Sequence, residues 1–198
     1  MDIHVLPEGI VVAQGTEAGG HGATRSTLAL VPAVVDAVRE RNGEVVVVAA
    51  GGIADGRGLA AALMLGAHGA LLGTRFLASD EALTSAAARA KLVTARGDDT
   101  IRTRVFDIVR SLDWPALYTG RALQNAFSQQ WHGREAELEK SLPAEAARYA
   151  RAAEANDLDT SVVFAGECVD LIRDVRPAAA IVASLVHEAE AALDCLDR

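Results

Sequence analysis

Only two of the 198 residues are cysteine, Cys168 and Cys195, and they stand far apart with no Cys-x-x-Cys pair. A disulfide framework and a structural zinc site are excluded on that ground, no metal site is expected, and reduced thiols fit a cytoplasmic protein. Aromatic residues make up 4% of the chain while alanine is abundant, which argues against a sandwich of bulky alternating strands and for helices packed on small-residue faces. Basic residues are short as well, 19 against 27 acidic, for a formal charge of −8. A broad phosphate-binding surface needs the opposite balance, so a nucleic-acid partner is not expected. No apolar run is long enough to cross a bilayer; the longest lies around Val45 to Ala54. The start, "MDIHVLPEG", has neither a basic n-region nor an apolar h-region, so no membrane partner is expected and the cytoplasm is the expected location.

What the chain has is a 51% apolar composition, enough for one sizeable core, and a repeated pattern of strands ending in glycine turns. Ile10 to Ala13 reads as a buried parallel strand that runs into "QGTEAGGHG". Thr27 to Arg41 reads as a helix with Val31, Val34, Val35 and Val38 on one face, Pro32 in its first turn, and Asn42-Gly43 as its stop. "EVVVVAAGGI" supplies a second strand covered on both faces, Leu59 to Leu65 a short helix, and "ALLGTRF" a third strand. From Ser79 to about Ala155 the pattern is helical and charged, irregular around Trp114-Pro115 and Gly120, with no convincing strand. "VVFAGE" reads as a short extended segment or a loop entry. Ala178 to Leu193 reads as a long helix with Ile181, Leu185 and Val186 on one face.

Strand, helix, strand, helix, strand with crossover-length connections defines a parallel α/β class. In such folds ligands lie beyond the carboxyl ends of the strands. All three glycine-bearing turns, Gln14 to Gly22, Gly51 to Gly58 and Gly73 to Thr74, fall there. Glycines directly after a strand let backbone N–H groups converge on an anion, so two such turns at adjacent strands favour phosphate binding over helix packing alone. Among the polar residues, Glu17 is read as holding the first turn through backbone N–H groups and Asp55 as holding the second or capping the helix after it. Arg75 is read as a structural pair in preference to a phosphate partner. Trp114, Tyr118 and Trp131 could line a substrate cavity, though core is the commoner place for such rings. His4, His68, His132 and His187 have no supporting context.

"QGTEAGGHG", "VVAAGGIADGRGLAAALMLGAHGALLGTRFL" and "GECVDLIRDVRPAAAIV" together resemble the nitronate monooxygenase family, formerly called 2-nitropropane dioxygenases, which are FMN-dependent (β/α)8 TIM barrels. The resemblance runs from about Ile10 to the C-terminus, in the family's order. It implies FMN as cofactor and His21 as the residue beside flavin and substrate, acting as general base or as hydrogen-bond partner of the nitro group. An imidazole suits that task because its ordinary pKa lies near neutrality. It further implies that Gln14, Gly19 and the neighbouring Gly20 contact FMN, and that Gly51, Gly52, Gly73 and Thr74 cradle its phosphate. The implied reaction is oxidation of an alkyl nitronate or nitroalkane, with O2 as the second small-molecule partner.

Three strands are fewer than the eight of a closed barrel. The expected architecture is therefore the C-terminal portion of a TIM barrel with a helical segment. Residues 1–80 would be the partial barrel with the FMN-phosphate loops, 81–160 a helical segment on the substrate side, and 161–198 a C-terminal helix returning to the barrel. Met1 to Gly9 does not resemble the helix that should precede the first strand. Open sheet edges and an apolar inner face point to a homo-oligomer or to association with a missing N-terminal half. Two other readings stand beside the main one. The flavin-dependent enoyl-acyl-carrier-protein reductases share the barrel and a similar turn, but often carry serine where this chain has Ala18. The chain could also be a non-catalytic remnant or interaction protein.

Overall fold

A computed structural model describes residues 3–6, 9–41 and 45–195. Three parallel strands form its centre: β2 (Ile10–Gln14), β4 (Val46–Ala50) and β5 (Gly69–Leu71). Before them comes β1 (Ile3–Leu6), which pairs antiparallel with β2 and gives the sheet order β1-β2-β4-β5. The first strand of the pattern is thus preceded by another strand, added to the sheet edge in the opposite direction.

The crossovers are α1 (Thr27–Arg41), between β2 and β4, and α2 (Gly56–Met64), between β4 and β5. Alternation decides what each strand buries. Val11 and Ala13 of β2 and Val47 and Ala49 of β4 point to one face and pack with Leu30, Val31, Val34 and Val35 of α1. Val38 completes the expected α1 face as a partly buried neighbour. Pro32 is the sixth residue of α1, beyond the first turn, so the helix gives up one backbone hydrogen bond there. The expected stop at Asn42-Gly43 lies outside the described residues. After β5 the chain enters α3 (Thr74–Leu77), so "ALLGTRF" leaves the strand at Leu71 and enters a helix at Thr74.

The stretch from Ser79 to about Ala155, read as helical with an irregular middle and no convincing strand, contributes two strands to a second sheet. Its strands are β3 (Gly20–Gly22), β6 (Thr100–Thr103) and β7 (Thr119–Leu123), antiparallel in the order β3-β7-β6. Phe164 adds an isolated bridge to Ala122. β6 and β7 escape a sequence reading because each carries an arginine at its centre, Arg102 and Arg121, and neither alternates in polarity. Around this sheet lie α4 (Ala86–Thr94), α5 (Val105–Val109), α6 (Ala126–Trp131), α7 (Glu135–Lys140) and α8 (Leu142–Glu154). Phe106, Phe127 and Tyr149 stack and tilt together in their core, with ring centroids 5.7 to 6.5 Å apart. Trp131 is buried in that core, not in a ligand cavity.

The last helix, α9 (Ala178–Asp194), returns to α2. Ile181, Leu185 and Ala189 are its buried residues, whereas Val186 is about half exposed, so the inward stripe follows i, i+4, i+8. Small residues allow the close approach. A Cβ on Gly56 would stand 2.2 Å from Cβ of Glu188. Glu188 in turn accepts the N–H of Gly56 at 2.9 Å. Asp55 caps α2, accepting from Gly58 N, as expected. Among the described residues no helix is long and apolar enough to cross a membrane.

Candidate active site

The turn after β2 is held from four sides. Gly15 N–H donates to Ala50 O at 2.9 Å, tying the turn to β4. The Glu17 carboxylate accepts Thr27 N–H at 3.0 and 2.9 Å on its two oxygens, at the first residue of α1, and so plays the holding role expected of it. The carbonyl of Thr16 accepts Nε–H from both Arg102, at 3.0 Å, and Arg121, at 2.9 Å. Arg102 also reaches Gly22 O and Thr119 O, so one guanidinium grips both limbs of the turn and β7. Burial, then the neighbouring Arg121 charge, lower its pKa to about 10, still far above neutrality. Finally, Glu17 O accepts Glu167 N–H at 2.9 Å, which sews the turn to the C-terminal segment.

Two glycines in this turn are required by space. A Cβ on Gly15 would lie 2.0 Å from Thr27 Oγ1 and 2.4 Å from Thr27 N. One on Gly19 would lie 2.8 Å from the backbone of Ala165 and Gly166, where the chain crosses.

The three glycine turns converge on an open cavity of about 200 Å³. Gln14, Gly19 and Gly20 line it from the first turn, Gly51 and Gly52 from the second, Gly73 and Thr74 from the third. All seven residues singled out as cofactor contacts therefore share one space. Gly51 and Gly52 both have left-handed φ, +97° and +75°, which turns the backbone sharply off β4. Thr74 Oγ1 accepts Gly166 N–H at 2.9 Å in a buried position and keeps its own O–H to donate. Gln14 Nε2 donates to His21 O at 2.6 Å, so this side chain links the cavity to the strand that carries the histidine.

His21 does not itself line the cavity. It lies on β3, opposite Gly120 of β7, with its side chain 14% exposed. One face of its ring stacks on Trp114, centroids 3.9 Å apart and planes 8° from parallel. Phe164, which does line the cavity, tilts against the ring at 5.8 Å. The Nε2 edge meets Oδ1 of Asp107 at 2.9 Å.

Asp107, Phe164, Gly166 and Cys168 belong to this site or its wall and were not singled out in the sequence. Gly166 carries a readable signal, a glycine after a short apolar run like the other turns. Its Cβ would fall 2.6 Å from Glu17 O. Asp107 carries none, being one carboxylate in the helical "VFDIV". Cys168 lines the cavity as a buried thiol, and burial pushes its pKa up to about 11. Arg75 is buried and pairs with Asp174, Nη2 to Oδ1 at 2.7 Å, away from the cavity as expected. No cluster of three or more His, Cys, Asp or Glu residues suited to a metal ion occurs among the described residues.

The family model described as nitronate monooxygenase matches residues 7–188. The chain belongs to the nitronate monooxygenase family. It is 41% identical over 188 residues to a nitronate monooxygenase of Neurospora crassa, covering 91% of this chain and 48% of that protein. It is 40% identical over 197 residues to the nitronate monooxygenase npaC of Metarhizium robertsii, covering 94% and 54%. Among solved structures it is similar to nitroalkane oxidase from Streptomyces ansochromogenes, with TM-score 0.77, 30% identity and coverage of 95% and 53%. It is similar also to FabK from Thermotoga maritima, with TM-score 0.76, 30% identity and coverage of 96% and 57%. The chain thus spans about half the length of the relatives it matches. These neighbours are TIM-barrel flavoenzymes, and β2, β4 and β5 with their crossovers are the corresponding portion of a barrel.

Proposed function

We propose that this chain carries the cofactor cradle and the catalytic histidine of an FMN-dependent oxidoreductase that oxidises alkyl nitronates with O2. The observation that supports this most is the convergence of all three glycine turns on one cavity, with Phe164 of its wall against His21. The residues present fit FMN. A Cβ on Gly73 would meet nothing within 4 Å, so the missing side chain leaves open space for a ligand at the third turn. Gly51, Gly52 and Gly73 let the backbone approach a phosphate, while the Thr74 hydroxyl offers a donor. When bound, FMN supplies the electron-accepting ring and its reoxidation by O2.

The protein's share of the chemistry falls to His21. Its ring is mostly shielded from water by Trp114 and Phe164, and it can exchange a proton with the carbon next to a nitro group or hydrogen-bond to the nitro oxygens. Similarity to FabK keeps an enoyl-reductase-like alternative in view, one that would draw electrons from NADH. Association with further chain is part of the same proposal, because Leu71 of β5 is half exposed at the open edge of the parallel sheet.

The experiment is to load the purified chain with FMN and follow O2 uptake with ethyl nitronate, in wild type and His21→Ala, alongside anaerobic NADH. Nitronate-dependent uptake that His21→Ala loses, with flavin retained and no bleaching by NADH, supports the proposal. Bleaching by NADH with no nitronate turnover favours the alternative. His21→Ala with wild-type turnover would remove the histidine from the mechanism.

A further inference from the structure

The Asp107 carboxylate sits on α5, a five-residue helix whose Val105, Phe106 and Val109 are buried in the aromatic core. Its side chain is 5% exposed. Acidic residues are rarely so buried unless paired. The partner of Oδ1 is His21 Nε2, 86 residues away and on a different element. Oδ2 is buried with no hydrogen-bond partner among the described residues. The carboxylate does not cap its own helix either, since Oδ1 meets His21 and Oδ2 accepts from no backbone N–H. An apolar residue would fill the same space without leaving a buried oxygen unsatisfied. The contact with the imidazole is what the burial provides.

That contact has a chemical consequence. Stacking on Trp114 fixes the plane of the His21 ring but allows a half-turn that exchanges its two edges. A carboxylate accepts and cannot donate, so at Nε2 it selects both the edge and the tautomer: the proton sits on Nε2, and Nδ1 is left as the basic nitrogen. We propose that Asp107 is a positioning residue that orients His21 and holds it as the Nε2–H tautomer. This rests on the reading of His21 as the catalytic histidine. In proton abstraction from a nitroalkane, the C–H proton passes to Nδ1 and the C–H electron pair moves onto the nitro group, giving the nitronate. The imidazolium so formed keeps its Nε2–H on Asp107, which takes no proton and stabilises the new charge across 2.9 Å.

The test is long-range ¹H–¹⁵N NMR of the His21 ring in the full chain at neutral pH, with steady-state turnover of nitroethane by the FMN-loaded protein. Wild type is expected to show the Nε2–H tautomer. Asp107→Asn replaces one acceptor by an amide that can also donate, so it should admit the Nδ1–H form and lower kcat by about 10- to 100-fold, part of the ~10²–10⁴ that a general base contributes. KM should stay within about twofold. Asp107→Glu keeps the acceptor and should retain the tautomer and recover part of kcat. Wild-type protein in the Nδ1–H form, or Asp107→Asn with unchanged kcat, would overturn the proposal. Absence of nitroethane turnover in wild type would instead count against proton abstraction from a nitroalkane by His21, and the wild-type tautomer would still decide the role of Asp107.

Discussion

Substituting Gly51 by alanine places a methyl group where two turns meet, and the cost can be worked from two observations. The backbone there has φ +97°, a region that costs an L-residue about 1–2 kcal/mol. The added Cβ would stand 3.0 Å from Ala18 N and from Gly15 O and 3.1 Å from Ala18 Cβ. Those atoms belong to the turn that Arg102, Arg121 and Thr27 hold in place, so they retreat only with the whole turn. Overpacking against such neighbours costs about 1–3 kcal/mol. The sum, about 2–5 kcal/mol, is a large part of the roughly 5–15 kcal/mol that holds a domain together. Gly73→Ala is the control from the same cavity. Its φ of −95° suits any residue and its Cβ meets nothing within 4 Å, so stability should change by less than about 0.5 kcal/mol. Urea unfolding followed by circular dichroism should show a lowered midpoint at constant slope for Gly51→Ala and a wild-type midpoint for Gly73→Ala. FMN affinity should fall in both, because both residues line the cavity. A wild-type midpoint for Gly51→Ala, or a larger loss for Gly73→Ala, would refute the reasoning.

Arg102→Leu should destabilise the chain by about 2 kcal/mol or more, since it strips this donor from Gly22 O and Thr119 O at about 1–3 kcal/mol for each group left buried and unpaired, while Thr16 O keeps Arg121, measurable by the same urea titration. Glu17→Ala removes the acceptor at the start of α1 and should cost about 1–2 kcal/mol, with the first turn of α1 losing hydrogen-exchange protection before the rest. Cys168, with its pKa raised to about 11 by burial, should resist iodoacetamide at pH 7 while the exposed Cys195 reacts. Peptide mass mapping checks this, and labelling of Cys168 should speed up as pH rises toward 11.

Much of the parallel half was legible in the sequence, because local signals there agree with one another. β2, α1, β4 and α2 each have a strong periodicity and a glycine boundary. α1 occupies Thr27–Arg41 as read, and the convergence of the turns follows from their common place at strand exits. The antiparallel sheet was not legible. β6 and β7 are held by arginine side chains that reach Thr16, more than 80 residues away from Arg102, and no local pattern reports such a partner. The same reason hid Asp107, whose meaning comes wholly from its contact with His21. β1 was missed differently: four residues of edge strand carry too short a pattern to separate from a loop. On α9, Val186 is as apolar as its neighbours, yet the inward stripe runs through Ile181, Leu185 and Ala189 and leaves Val186 one position off it and about half exposed, which apolar character alone does not report.

The central claim, that the three glycine turns form a flavin cradle, is tested most directly by titrating the purified chain with FMN while recording its visible spectrum and fluorescence. Saturable one-to-one binding, with quenched fluorescence and a structured 450 nm band, weakened by Gly73→Ala at unchanged stability, is the expected result. An FMN spectrum that stays that of the free cofactor throughout the titration would contradict it.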